Sequence, residues 1–139
     1  PEPFDADACE FFLAKCKLAR YENKPIKEVI MDGQVISGCG NIYATEALFA
    51  VGVRPTKKVK SVSKAKKIEL FEAIVAVLTE SIENGGSTIS DYRSVNGGAG
   101  SMQDRLKMYS KKLCPQCSEA TKQEVIAGRT STYCPKCQK

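Results

Sequence analysis

Two cysteine pairs near the C-terminus constrain this 139-residue chain more than any other feature. Cys114-Pro-Gln-Cys117 and Cys134-Pro-Lys-Cys137 are separated by 16 residues, giving C-x2-C-x16-C-x2-C. Two residues between thiolates let a tight turn point both sulfurs at one ion, and two such knuckles complete a tetrahedron. Disulfides would suit a secreted mini-protein, but nothing in the sequence indicates secretion, and Cys9, Cys16 and Cys39 would be left over. A thioredoxin-like redox site would need a single pair beside a βαβ pattern, and neither condition holds. The spacing predicts one structural zinc ion held by Cys114, Cys117, Cys134 and Cys137. Four ligands leave no open position for water or substrate, so the metal would hold the fold and do no chemistry. A segment of about 25 residues cannot bury a core of its own, and the ion stands in for one. Cys9, Cys16 and Cys39 read as small buried hydrophobes.

The chain contains no His, which excludes a Ser-His-Asp triad, a Cys-His dyad and any His-ligated metal within it. With 42% apolar and 27% charged residues it falls in the globular range. No run of 18 apolar residues is present, so a membrane-spanning protein is not expected. The formal charge of +5 is unevenly spread. Residues 52–68 hold seven Lys/Arg and no Asp/Glu, and residues 103–139 hold eight against three, while the stretches before and between are acidic. Two basic segments suggest faces that meet a polyanion; alternatively, Lys57, Lys58, Lys60, Lys64, Lys66 and Lys67 merely solvate a loop and a helix start.

Pattern and punctuation predict a mainly α chain. Pro1 to Asp7 reads as a linker, with acidic residues where a helix begins. Ala8 to Tyr21 reads as one helix, and Pro25 suits the first turn of another ending near Met31 or Asp32. Gly33, Gly38 and Gly40 then mark consecutive turns, Asn41 stands where an N-cap would, and Ile42 to Val51 is helical until Gly52. Ser61 or Ser63 caps the longest helix, which carries an apolar stripe of Ile68, Phe71, Val75, Leu78 and Ile82 up to about Asn84. Residues 87–102 have loop composition. In the last segment, Glu124 to Ala127 and Thr130 to Tyr133 read as strands around Gly128-Arg129. A zinc-stiffened hairpin with Arg129 at its tip can enter a duplex groove; a bland surface arginine is the alternative.

Gly38-Cys-Gly-Asn-Ile-Tyr-Ala-Thr-Glu-Ala-Leu-Phe-Ala50 closely resembles the helix-two-turns-helix signature of formamidopyrimidine-DNA glycosylase and its endonuclease VIII relatives. The four-Cys segment with Gly128-Arg129 and Thr132-Tyr133-Cys134 resembles the same family's C-terminal zinc finger. Glu83-Asn-Gly-Gly-Ser-Thr88 and Lys107-Met-Tyr-Ser-Lys111 fall between them in the family's order. The resemblance implies a linker remnant at 1–7, a helix-two-turns-helix DNA-binding domain at 8–110 and a finger at 111–139. It implies phosphate contacts from Gly40, Asn41, Tyr109 and Arg129, with Lys24 and Lys27 in the place of the family's lysines before the first signature helix. It also implies a lesion-recognition loop at 87–102 that includes Ser87, Thr88, Tyr92 and Met102. Arg129 is implicated by the resemblance in δ-elimination.

Such an enzyme excises oxidised purines, formamidopyrimidine and 8-oxoguanine, through an N-terminal proline amine followed by glutamate, and cuts the strand by β,δ-elimination. This chain begins Pro1-Glu2, yet Pro-Glu-Pro-Phe-Asp-Ala-Asp matches the family's interdomain linker, which places the catalytic proline outside these residues and leaves this half inactive alone. The implied partner is double-stranded DNA with oxidised bases or abasic sites, bound by a monomer in the bacterial cytoplasm at the nucleoid. Alternatives are a non-catalytic zinc-ribbon nucleic-acid module, a zinc-stapled protein-interaction module and an endonuclease VIII-type enzyme for oxidised pyrimidines.

Overall fold

A computed structural model describes residues 7–36, 38–83 and 106–139. It is helix-rich, with one two-stranded antiparallel hairpin. The elements are α1 (Ala8–Cys16), α2 (Ala19–Glu22), α3 (Ile26–Ile30), α4 (Asn41–Val51), a 3₁₀ turn (Val59–Ser61), α5 (Lys64–Glu83), β1 (Lys122–Ile126) and β2 (Arg129–Tyr133). Pro1 and Glu2, Ser87, Thr88, Tyr92, Met102 and the side chain of Ile82 lie outside the described residues.

Helix α4 sits at the centre because it is apolar almost all round. Tyr43 through Phe49 are all buried, and a helix without a polar face must be enclosed by its neighbours. Helices α3 and α5 and strand β2 supply that enclosure, and α1 packs on α5, where the Phe12 and Phe71 rings meet at 5.7 Å. Among the described side chains of α5, Leu70, Phe71, Ile74 and Leu78 are buried. The expected stripe is therefore rotated: Ile68 and Val75 are only partly buried, and Leu70 and Ile74 take the centre. Ser63, and not Ser61, starts α5, its Oγ accepting the Lys66 N–H at 3.1 Å.

Three local expectations are corrected. The helix expected over Ala8–Tyr21 breaks at Leu18, whose ψ of 141° is extended; the chain turns there so that Tyr21 swings into the core at 4% exposure. Pro25 precedes α3 as its N-cap, leaving its carbonyl to accept the Glu28 N–H. Asn41 is the first residue of α4 and not its cap. Gly40 occupies that position and has no side chain to cap with, while the Asn41 amide donates to the Thr130 carbonyl.

Gly52 ends α4 at φ 71°, in the left-handed region, and a Cβ there would lie 3.2 Å from the Cys137 carbonyl oxygen. Its own carbonyl accepts the Lys139 N–H at 2.9 Å. The fully buried Gln138 continues this seam. Its Nε2 donates to the Val53 carbonyl, and its Oε1 accepts the Cys134 N–H, both at 2.9 Å. The C-terminal knuckle thus rests on the end of the central helix.

Candidate nucleic-acid interface and metal centre

The four sulfurs of Cys114, Cys117, Cys134 and Cys137 all lie within 4.8 Å of one another. Cys114 and Cys137 are 3.8 Å apart and Cys117 and Cys134 3.5 Å. Sulfurs at about 2.3 Å from one tetrahedral zinc are about 3.8 Å apart, close to these two separations, so the cluster suits the ion. Two knuckle N–H groups point at sulfur, from Gln116 to Cys114 and from Cys137 to Cys134, the usual way a backbone supports thiolate charge. For Cys134, burial opposes ionisation, but the N–H donors of Cys137 and Lys136 together with hydrogen bonds from the Cys117 and Cys114 thiols bring its thiol down to about 7. The site holds a structural zinc.

Cys16 and Cys39 are buried and Cys9 half-buried, among the described residues unlinked to other cysteines. Burial pushes the Cys16 thiol up to about 11 and that of Cys39 up to about 12, which keeps both as neutral core side chains.

The hairpin is longer than its composition suggests. Lys122 pairs with Tyr133 and Ile126 with Arg129, so the strands begin two residues earlier in β1 and one earlier in β2. The two-residue turn is Ala127-Gly128, with φ of 52° and 78°, the geometry that matches strand twist. Arg129 opens β2 beside the turn and is exposed.

What joins this hairpin to the helical unit is Lys27. Its ammonium has three N–H donors and finds three acceptors: Asn41 Oδ1, Ser131 Oγ at 2.6 Å and the Thr130 carbonyl at 3.4 Å. Asn41 Nδ2 also donates to the Thr130 carbonyl at 3.3 Å. Helix α3, the start of α4 and the residues after Arg129 therefore converge on one cluster. Lys27 has no exposed surface and underlies this cluster. Lys24 lies outside it, exposed and paired with Glu28 at 3.4 Å. Gly40 is exposed at the adjoining turn.

Burial pulls Lys27 down from 10.5 to about 8, Cys39 opposing and Arg129 reinforcing the shift. Between about 8 and 10.5 the unfolded chain binds more protons at this residue than the folded one, so stability at this site rises with pH across that window and is flat below it. The expected result is that the stability difference between wild type and Lys27→Met, from urea unfolding at pH 7 to 10, shifts toward wild type above pH 8. A constant difference would show that Lys27 does not titrate there.

Tyr109 is placed by its backbone. Its N–H donates to Glu46 Oε2 at 2.7 Å, and its ring is half-buried against the helical core, apart from the Lys27 cluster. Glu46 is the main buried polar residue that sequence reasoning missed. This buried carboxylate accepts three successive N–H groups, from Lys107, Met108 and Tyr109, at 2.7–2.8 Å. The signal was present, since Glu46 is the single charge in the apolar run Ile42 to Val51.

Residues 1–93 match the formamidopyrimidine-DNA glycosylase H2TH domain, and residues 111–139 match the zinc finger found in FPG and IleRS. The formamidopyrimidine-DNA glycosylase of Prochlorococcus marinus is 38% identical over 141 residues, covering 100% of this chain and 47% of that protein. The MutM (Fpg) crystal structure from Thermus thermophilus superposes with a TM-score of 0.84 at 35% identity, over 99% of this chain and 53% of that one. Lactococcus lactis Fpg bound to abasic-site DNA gives 0.82 at 30% identity, over 100% of this chain and 51% of that one. The same protein bound to FAPY-dG-containing DNA gives 0.81 at 30% identity, over 100% and 50%. The chain spans about half the length of the curated relatives it matches. With both of its recognisable segments matched in order and its fold shared along the whole length, the chain belongs to the formamidopyrimidine-DNA glycosylase family.

Proposed function

We propose that this chain is the DNA-binding part of a bifunctional DNA glycosylase and AP lyase that excises oxidised purines and cleaves the strand by β,δ-elimination. The observation that carries the reading is the Lys27 cluster, which ties the amide of Asn41 to the two residues following Arg129. A phosphate-binding turn and a cationic hairpin held in one register form a surface complementary to a bent DNA backbone. Abasic sites and FAPY-dG, present in the DNA bound to the Lactococcus lactis relative, are the lesions it would meet. In this reading Asn41, Gly40 and Tyr109 grip phosphates beside the extruded nucleotide, and Arg129 contacts the phosphate at the lesion and assists δ-elimination. Unstacking the base costs a few kcal/mol, least at damaged pairs, and the grip on both flanks offsets it.

Arg129→Ala tests the reading. Removing a charge-assisted phosphate contact is expected to weaken duplex binding about tenfold, with zinc unchanged at about one per chain. Unchanged affinity in the zinc-loaded variant would remove Arg129 from the contact set and defeat the proposed geometry.

A further inference from the structure

Arg54 belongs to the run of seven cations after α4, yet its donors face inward. Its Nε donates to the Gln138 carbonyl at 3.2 Å and its Nη2 to the Pro135 carbonyl at 2.8 Å. The guanidinium also lies over the Tyr133 ring, 5.2 Å from its centroid. One side chain thus spans both ends of the Cys134–Cys137 knuckle and the last residue of β2. It touches neither a zinc-bound sulfur nor any member of the Lys27 cluster.

The geometry makes β2 a lever with two fixings. Near its start Lys27 holds Thr130 and Ser131, and at its end Arg54 holds Tyr133 and the knuckle beyond. Four residue steps separate Arg129 from Tyr133, about 13 Å at the rise of an extended strand. With Lys27 as the pivot, a rotation of about 10° would displace the Arg129 backbone, about 5 Å beyond it, by about 1 Å, enough to misplace a charge-assisted contact. Along β2, Lys27 bonds only to residues 130 and 131, and fixings at two adjoining residues define a pivot but leave rotation about it to the fixing at Tyr133.

We infer that Arg54 is a positioning residue for DNA binding: it fixes the angle at which β2 presents Arg129 to the phosphate backbone. The inference rests on the contact proposed above for Arg129 and adds a residue remote from that contact. A Lys at this position keeps the charge but cannot donate in two fixed directions while stacking on Tyr133.

The test is a double-mutant cycle on the zinc-loaded chain, reading fluorescence anisotropy with a labelled duplex that carries a tetrahydrofuran abasic-site analogue. Arg54→Ala is expected to weaken binding about tenfold in the wild-type background and less than about twofold in the Arg129→Ala background, at one zinc per chain. Arg54→Lys is expected to behave like Arg54→Ala, and it carries the same cycle if the alanine variant loses zinc. An equal loss in both backgrounds would mean that Arg54 contributes only general stability, and no loss in either would mean that it positions nothing; each overturns the inference while the Arg129 contact stands. If Arg129→Ala alone leaves affinity unchanged, the underlying reading fails and this one with it.

Discussion

Stripping the zinc with a chelator is expected to unfold residues 111–139 while leaving the helical unit folded, and to abolish specific DNA binding. The apolar core around α4 and α5 does not include the metal-binding sulfurs. The buried cluster beneath the finger, by contrast, consists of Phe49 of α4, Met108, Cys114 and Cys134, so two of its four members are zinc ligands. Structural zinc in finger peptides is worth about 10–16 kcal/mol at neutral pH, far beyond what a small hairpin with an exposed Val125 supplies. In the metal-free protein the amides of β1 and β2 should exchange freely, whereas those of α4 and α5 stay protected. DNA affinity should fall at least as far as in Arg129→Ala, because the arginine loses its support. Undiminished hairpin protection after chelation would show that the sulfur cluster is incidental to the fold.

Glu46→Ala is expected to be the most destabilising single substitution in the helical unit. The carboxylate is 8% exposed and receives three backbone N–H groups, and truncation leaves all three donors without an acceptor. Hydrogen bonds to a charged group contribute about 1.5–3 kcal/mol each, and a buried unsatisfied donor carries a desolvation penalty. A loss of about 3–5 kcal/mol is expected in urea unfolding, within the range for breaking a buried network. Glu46→Gln should recover only part of it, since its amide nitrogen would face a donor where an oxygen accepts. The consequence reaches function, because residues 107–109 lead from the helical unit into the finger and carry Tyr109. A loss under about 1 kcal/mol would mean that water replaces the carboxylate without difficulty.

How much of this was legible beforehand follows a physical division. The zinc ligands were readable because their spacing is set by local turn geometry and needs no partner. The helix-two-turns-helix order was readable from glycines and apolar runs for the same reason. Asn41 was placed correctly in sequence but misread as a cap, since its amide is drawn to Lys27 and Thr130, the latter 89 residues away. Lys27 was expected only to stand in for the family's lysines, because charge alone does not reveal three converging acceptors. Arg54 and Gln138 meet carbonyls 81 to 85 residues distant, a pairing that no local pattern encodes. The break at Leu18 and the rotated stripe on α5 share one cause: which residues turn inward depends on the helices packed against them, not on hydrophobicity alone.

The central claim is that this chain recognises damaged duplex DNA through the surface built on Lys27, Asn41 and Arg129. Fluorescence anisotropy on the zinc-loaded chain, comparing two duplexes that differ only by an abasic-site analogue at one position, tests it most directly. Tighter binding to the abasic duplex, persisting at physiological salt, is the result expected. Equal affinity for the two duplexes would contradict it and leave only a general polyanion-binding module.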